Sequence, residues 1–157
     1  MFLVCDKNEK KLLSWLRKAT SPDKTRPVLN SLHVKNGTSE ACDGIRVHSA
    51  PTPERWQEHT GKMILFASKT TQDVNEVQYE ENGTYPDINQ VKPMGDFTFR
   101  VGVNPKILID ALSGFDGMVS LTFYSDTKPF YVKDTDADNP DQWALIMPVY
   151  LDENGHT

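Results

Sequence analysis

A length of 157 residues fits a single domain, and 38% apolar residues give it the material for a core. Seventeen basic against 22 acidic residues leave a net charge of −5, which excludes a chain that coats nucleic acid over its whole surface but not one with a single basic face. Two cysteines, Cys5 and Cys42, exclude a disulfide framework. No apolar run approaches the roughly 20 residues of a membrane span, and the opening residues do not read as a signal peptide. A soluble, cytoplasmic protein is expected.

In chain order, residues 1–5 read as a short strand. Asp6 and Glu9 have the spacing of a capping box and start a helix that runs to about Ala19. Leu12, Leu13, Leu16 and Ala19 form its apolar stripe, and Pro22 and Pro27 end it. Strands are predicted at 28–35 and 39–50, joined by Asn36-Gly37, a strong hairpin signal. After Pro51 and Pro53, a polar connector leads to strands at Met63–Phe66 and about 74–80. An irregular stretch from Tyr85 to Pro93 follows.

Phe97, Phe99 and Val101 alternate as a half-buried strand should. Asn104-Pro105 is an N-cap followed by proline at the first helical position. The helix it opens, 105–114, carries Leu108, Ala111, Leu112 and Phe115 on one face. Strands are expected at about 118–124, 128–133 and 143–149, with an acidic loop at 134–141. The order strand, helix, strands thus occurs twice. The expected fold is α+β: one domain over 1–151, two helices side by side on antiparallel sheets, with an internal pseudo-two-fold duplication. Its halves are about 1–50 and 96–151, its connector 51–95, and 152–157 is a polar tail.

Lys7, Lys10, Lys11, Arg17 and Lys18 share one face of the first helix, opposite the leucines. With Glu9 as the one acid among residues 7–18, that face is positive in an acidic chain. It reads either as a solvated helix face or as a surface that tracks phosphates without regard to sequence. Catalytic and metal readings are weak. Cys42 and His48 would stand about 20 Å apart along one continuous strand, too far for a nucleophile and its base. Asp134, Asp136 and Asp138 imitate a calcium loop, but Asn139 and Leu145 occupy its glycine and glutamate positions. His33, His59 and His156 have no metal-ligand spacing. No enzyme, cofactor or metal is expected.

Three short motifs follow one another in a fixed order: Arg26-Pro27-Val28-Leu29-Asn30 leading to Asp43-Gly44-Ile45-Arg46-Val47, then Tyr85-Pro86-Asp87 with Pro93, then Met147-Pro148-Val149-Tyr150-Leu151. Together they resemble the bacterial DNA sliding clamp, the beta subunit of DNA polymerase III, over nearly the whole chain. The resemblance implies a single clamp-like domain. Its function would be that of a non-catalytic replication accessory (processivity) protein that binds duplex DNA through Lys7, Lys10, Lys11, Arg17 and Lys18. It also implies a pocket for DNA polymerase or clamp-loader peptides, lined by Cys42, Gly44, Ile45, Arg46, Val47, Pro93, Leu145, Met147, Pro148 and Val149. Ile45 stands where the family usually has histidine. One domain cannot close a ring alone, so a homo-oligomer ring is implied. The alternative is a protein-interaction module or decoy with a clamp-like fold that does not encircle DNA.

Overall fold

The computed structural model describes residues 1–68, 70–93, 95–96, 98–135, 142–152 and 156, and divides the chain into two units, Met1–Lys92 and Pro93–Thr157. Each is a helix with antiparallel strands, so the chain is α+β. Within the stretch 51–95 the strands expected at 63–66 and about 74–80 both form, and they join the first unit's sheet. Among the described residues no helix is long and apolar enough to cross a membrane.

In the first unit, β1 (Phe2–Val4) leads into α1 (Lys7–Arg17). The capping box forms as its sequence dictates. The Asp6 carboxylate accepts from the amides of Asn8 and Glu9, and the Glu9 carboxylate accepts from the Asp6 amide at 2.7 Å. Then come β2 (Leu32–Val34), β3 (Thr38–Cys42), β4 (Val47–Pro51), β5 (Lys62–Phe66) and β6 (Val74–Glu80). They form one antiparallel sheet in the order β1-β6-β5-β2-β3-β4.

Side chains alternate across this sheet. Leu32, Val34, Ala41, Ile64 and Val77 point to the helix side, where Leu13, Leu16 and Ala19 close a core with Leu3 and Trp56. The Trp56 indole N–H donates to the Val4 carbonyl at 3.2 Å, so its polar atom stays bonded inside that core. On the other face Cys42 is covered by Tyr85 and Ile88, with Val28, Val47 and Met63 around them.

Two expected strands are shorter than their apolar runs. The segment 28–35 pairs only from Leu32, because the backbone turns at Arg26–Asn30, where the Leu29 and Asn30 amides both donate to the Arg26 carbonyl. The run 39–50 is not one strand but a hairpin. Asp43 breaks it, its carboxylate accepting from the Ile45 and Arg46 amides, and Gly44 takes a φ of +92°, which glycine tolerates without strain.

In the second unit, Asn104 caps α2 (Pro105–Leu112), accepting from the Lys106 amide at 3.0 Å. The strands β7 (Val119–Thr122), β8 (Phe130–Asp134) and β9 (Trp143–Ile146) form a sheet in the order β7-β8-β9. Phe130, Val132 and Ile146 are its buried centre, with Leu108, Ala111, Leu112 and Phe115 packed against them. The alternation at Phe99 and Val101 does not produce a strand there, and Phe97 lies outside the described residues. Gly102 alone makes a bridge, its carbonyl accepting from the Val149 amide at 2.8 Å. A β-carbon at Gly102 would stand 2.5 Å from the Val149 carbonyl oxygen, so only glycine permits this approach. The acidic loop and the tail lie largely outside the described residues, Asp136 and Asp138 included.

Leu16 is fully buried between α1 and the sheet. Leu16→Ala is expected to destabilise the first unit by about 2–5 kcal/mol, read as a lower urea midpoint at unchanged slope.

Candidate nucleic-acid interface

The leucine stripe fixes which side of α1 faces outward. At about 100° per residue, Lys7, Lys11 and Lys18 lie within roughly 40° of one another, whereas Lys10 and Arg17 sit about 60–80° away, at the margin of the apolar stripe. The structure separates the five cations along that line. Lys7, Lys11 and Lys18 are exposed and have no ion pair among the described residues. Lys10 is bound to Asp73 at 2.7 Å. Arg17 donates to the carbonyls of Ser68 (2.6 Å) and Thr70 (3.3 Å), and its guanidinium stands 4.3 Å from the centre of the Phe66 ring. Burial lowers the pKa of Arg17 from its ordinary value. These two cations tie the helix to the segment that follows β5. Glu9, the helix's one acid, is held by the cap and lies 3.7 Å from Arg55.

Sequence reasoning missed Trp15. It is off the leucine stripe and 44% exposed, and its ring stacks on His48 of β4 with centroids 4.3 Å apart and planes 6° from parallel. His48 Nδ1 lies 2.7 Å from the Trp15 carbonyl. With Lys7, Lys10, Lys11, Ser14, Lys18 and Thr71, Trp15 lines a shallow concavity of about 490 Å³. The legible signal was its spacing: four residues after Lys11, three before Lys18, and out of register with the leucines.

The residues expected to line a partner-peptide pocket divide between the two units. Cys42 and Val47 are paired across the β3–β4 hairpin and face its covered side. Gly44, Ile45 and Arg46 form the turn; Ile45 is 95% exposed, and Arg46 Nε donates to Asp43 at 2.9 Å. Pro93 opens the second unit. There Leu145 and Met147 are exposed, at β9 and just past its end. Pro148 and Val149 line a small hollow of about 150 Å³ with Tyr150, Leu151, Arg100 and Asp126. No motif signals the aromatic row on the outer face of this sheet, where Tyr131 meets Tyr124 and Trp143 edge to face.

Cys42 and His48 are not separated along one strand as expected. The hairpin brings them to adjacent rungs, Cys42 opposite Val47 and His48 opposite Ala41, so they point to opposite faces of the sheet. Burial pushes the Cys5 thiol up to about 11, helped by the Glu9 carboxylate, so it stays protonated at neutral pH. Among the described residues no group of three or more His, Cys, Asp or Glu side chains could hold a metal. The chain matches no family model, and no curated protein or solved structure is significantly similar to it.

Two histidines are held in the neutral form. His59 is 1% exposed, with Nδ1 2.8 Å from the Tyr79 hydroxyl, and burial lowers its pKa although Glu58 opposes the shift. His33 packs against Tyr85, and burial, aided by Lys35, lowers its pKa against the pull of Glu40. A folded pKa below the unfolded value of 6.5 means that the unfolded chain takes up protons first as pH falls. Stability from these groups is therefore complete above about pH 6.5 and is lost as pH drops below it. The urea midpoint is expected to be lower at pH 5.5 than at pH 7.5. Asp6, Asp23 and Asp43, lowered from 3.8, release their share only in stronger acid. Equal midpoints at the two pH values would show that His33 and His59 are not buried in neutral form.

Proposed function

We propose that this chain is a non-catalytic, sliding-clamp-like DNA replication accessory protein that binds duplex DNA without sequence preference through the outer face of α1 and recruits polymerase or loader peptides. The observation that carries the reading is the seating of α1. In a chain of net charge −5, the helix lies with its leucines inward and turns Lys7, Lys11 and Lys18 outward with no carboxylate paired to them among the described residues. Such a face attracts phosphates, and each contact releases counterions. Lys10 and Arg17, read from the sequence as phosphate contacts, are assigned instead to holding the helix in place.

What supports the clamp-like, duplicated form of the fold is recurrence. A capped helix followed by antiparallel strands occurs in each unit, α1 before β2–β4 and α2 before β7–β9. The second reading, a protein-interaction module that does not encircle DNA, is favoured by the aromatic row of the second unit. Trp143 and Leu145 are 57% and 48% exposed on a sheet face that carries Tyr131, and aromatic side chains of this kind anchor protein partners.

Replacing Lys7, Lys11 and Lys18 together by alanine is expected to flatten the dependence of duplex affinity on salt, by about 0.9 in log–log slope for each phosphate no longer neutralised. Lys10→Ala is expected to leave that slope close to the wild-type value. An unchanged slope in the triple variant would remove the basic face from the DNA reading. The native particle mass separates the two functions: a closed assembly of several copies supports the ring, and a monomer at high concentration supports the module.

A further inference from the structure

Trp15 is the large aromatic side chain of the basic helix face, and the structure holds it ready. The ring is stacked flat on His48, which is itself tied to the Trp15 carbonyl, yet it remains 44% exposed. Its orientation is set by packing before any ligand arrives, so little side-chain freedom is left to lose on binding. Lys7, Lys11, Trp15 and Lys18 follow one another at i, i+4, i+8 and i+11. At 1.5 Å per residue this row is about 16 Å long. The concavity beside it is walled by the same side chains. An aromatic plane flanked along one row by ammonium groups is what an unpaired base and its neighbouring phosphates require.

We propose that Trp15, braced by His48, is a base-stacking platform, and that the α1 face therefore prefers single-stranded nucleic acid to duplex. The proposal rests on the reading of this face as a nucleic-acid surface and goes beyond it. A duplex keeps its base faces stacked on one another and offers the protein phosphates and groove edges, so it gains from the lysines but not from the ring. A single strand gains from both. The ring stacks on His48 of β4 at the side of this row, which suits a base sliding onto it better than insertion into a lipid surface.

The test compares the affinity of the full chain for a labelled oligothymidylate and for a duplex of equal length, at low salt. Trp15→Ala is expected to weaken single-strand binding by about tenfold while changing duplex binding by less than about twofold. Trp15→Phe should restore most of the affinity. His48→Ala, which leaves the ring but removes its brace, should weaken single-strand binding in the same direction and serves if Trp15→Ala does not fold. The Lys7, Lys11 and Lys18 triple variant should weaken both. If Trp15→Ala leaves single-strand binding intact, or weakens both forms equally, the stacking proposal is overturned while the lysine result keeps the DNA reading. If wild-type protein binds neither oligonucleotide but sediments with phosphatidylserine vesicles, the stacking proposal and the DNA reading both fall.

Discussion

The burial of Leu13 and Leu16 against the six-stranded sheet decides the rest of the first unit. Both side chains are fully buried. Each contributes on the order of 1.5–3 kcal/mol by leaving water, whereas a solvent-screened pair such as Lys10–Asp73, its carboxylate exposed, contributes about 0–1 kcal/mol. The leucines therefore set the rotation of α1, and the ions adjust to it. Once the stripe is down, Lys7, Lys11 and Lys18 point away from the sheet and Lys10 and Arg17 come within reach of residues 68–73. Trp15 is left at the rim beside β4. Charge placement on this helix is a consequence of apolar burial, not a competitor to it.

Features that depend on a few neighbouring residues are legible in the sequence. The Asp6–Glu9 capping box, the Asn36-Gly37 turn, the Asn104-Pro105 start of α2 and the two apolar stripes all form as expected. Each is decided within about one helical turn or one hairpin, where local chemistry suffices. The Asp43–Arg46 turn carries a legible sign as well, since Asp43-Gly44 is a hairpin dipeptide like Asn36-Gly37, but the reading of 39–50 as one strand passes over it. Its signal, an aspartate accepting from two amides with glycine at positive φ, is a matter of hydrogen bonding rather than hydropathy. Arg17 escapes the sequence for a different reason. Spacing places a residue on a helix face, but whether that face meets solvent or another segment depends on chain fifty residues away.

The candidate peptide site shows the same limit from another side. Its motifs stand in a fixed order along the sequence. Position in the fold is a separate matter: the hairpin residues Cys42–Val47 belong to one unit and Leu145–Val149 to the other. Within the first unit, Cys42 and Val47 are occupied in covering the sheet with Tyr85 and Ile88. In the second unit Trp143 and Leu145 are offered to solvent from the outer face of its sheet, through an alternation that no short motif encodes.

The pairing of β1 with β6 sets the order in which the first unit can be completed. Leu3 stands opposite Asn75, the Val77 amide donates to the Met1 carbonyl at 2.9 Å, and the Cys5 amide donates to the Asp73 carbonyl at 2.7 Å. Within this unit β1 and α1 come ahead of the β2–β4 meander, whose strands are neighbours in sequence and can pair early. The strand that holds β1 is the last of this unit's strands in the sequence. Closing a chain segment of some seventy residues costs on the order of 4 kcal/mol in entropy, which the burial of Leu3 offsets only in part and only when the sheet and α1 are present to cover it. The first strand of this unit is thus the last to be secured, because it has no sheet partner until residues 74–80 are in place.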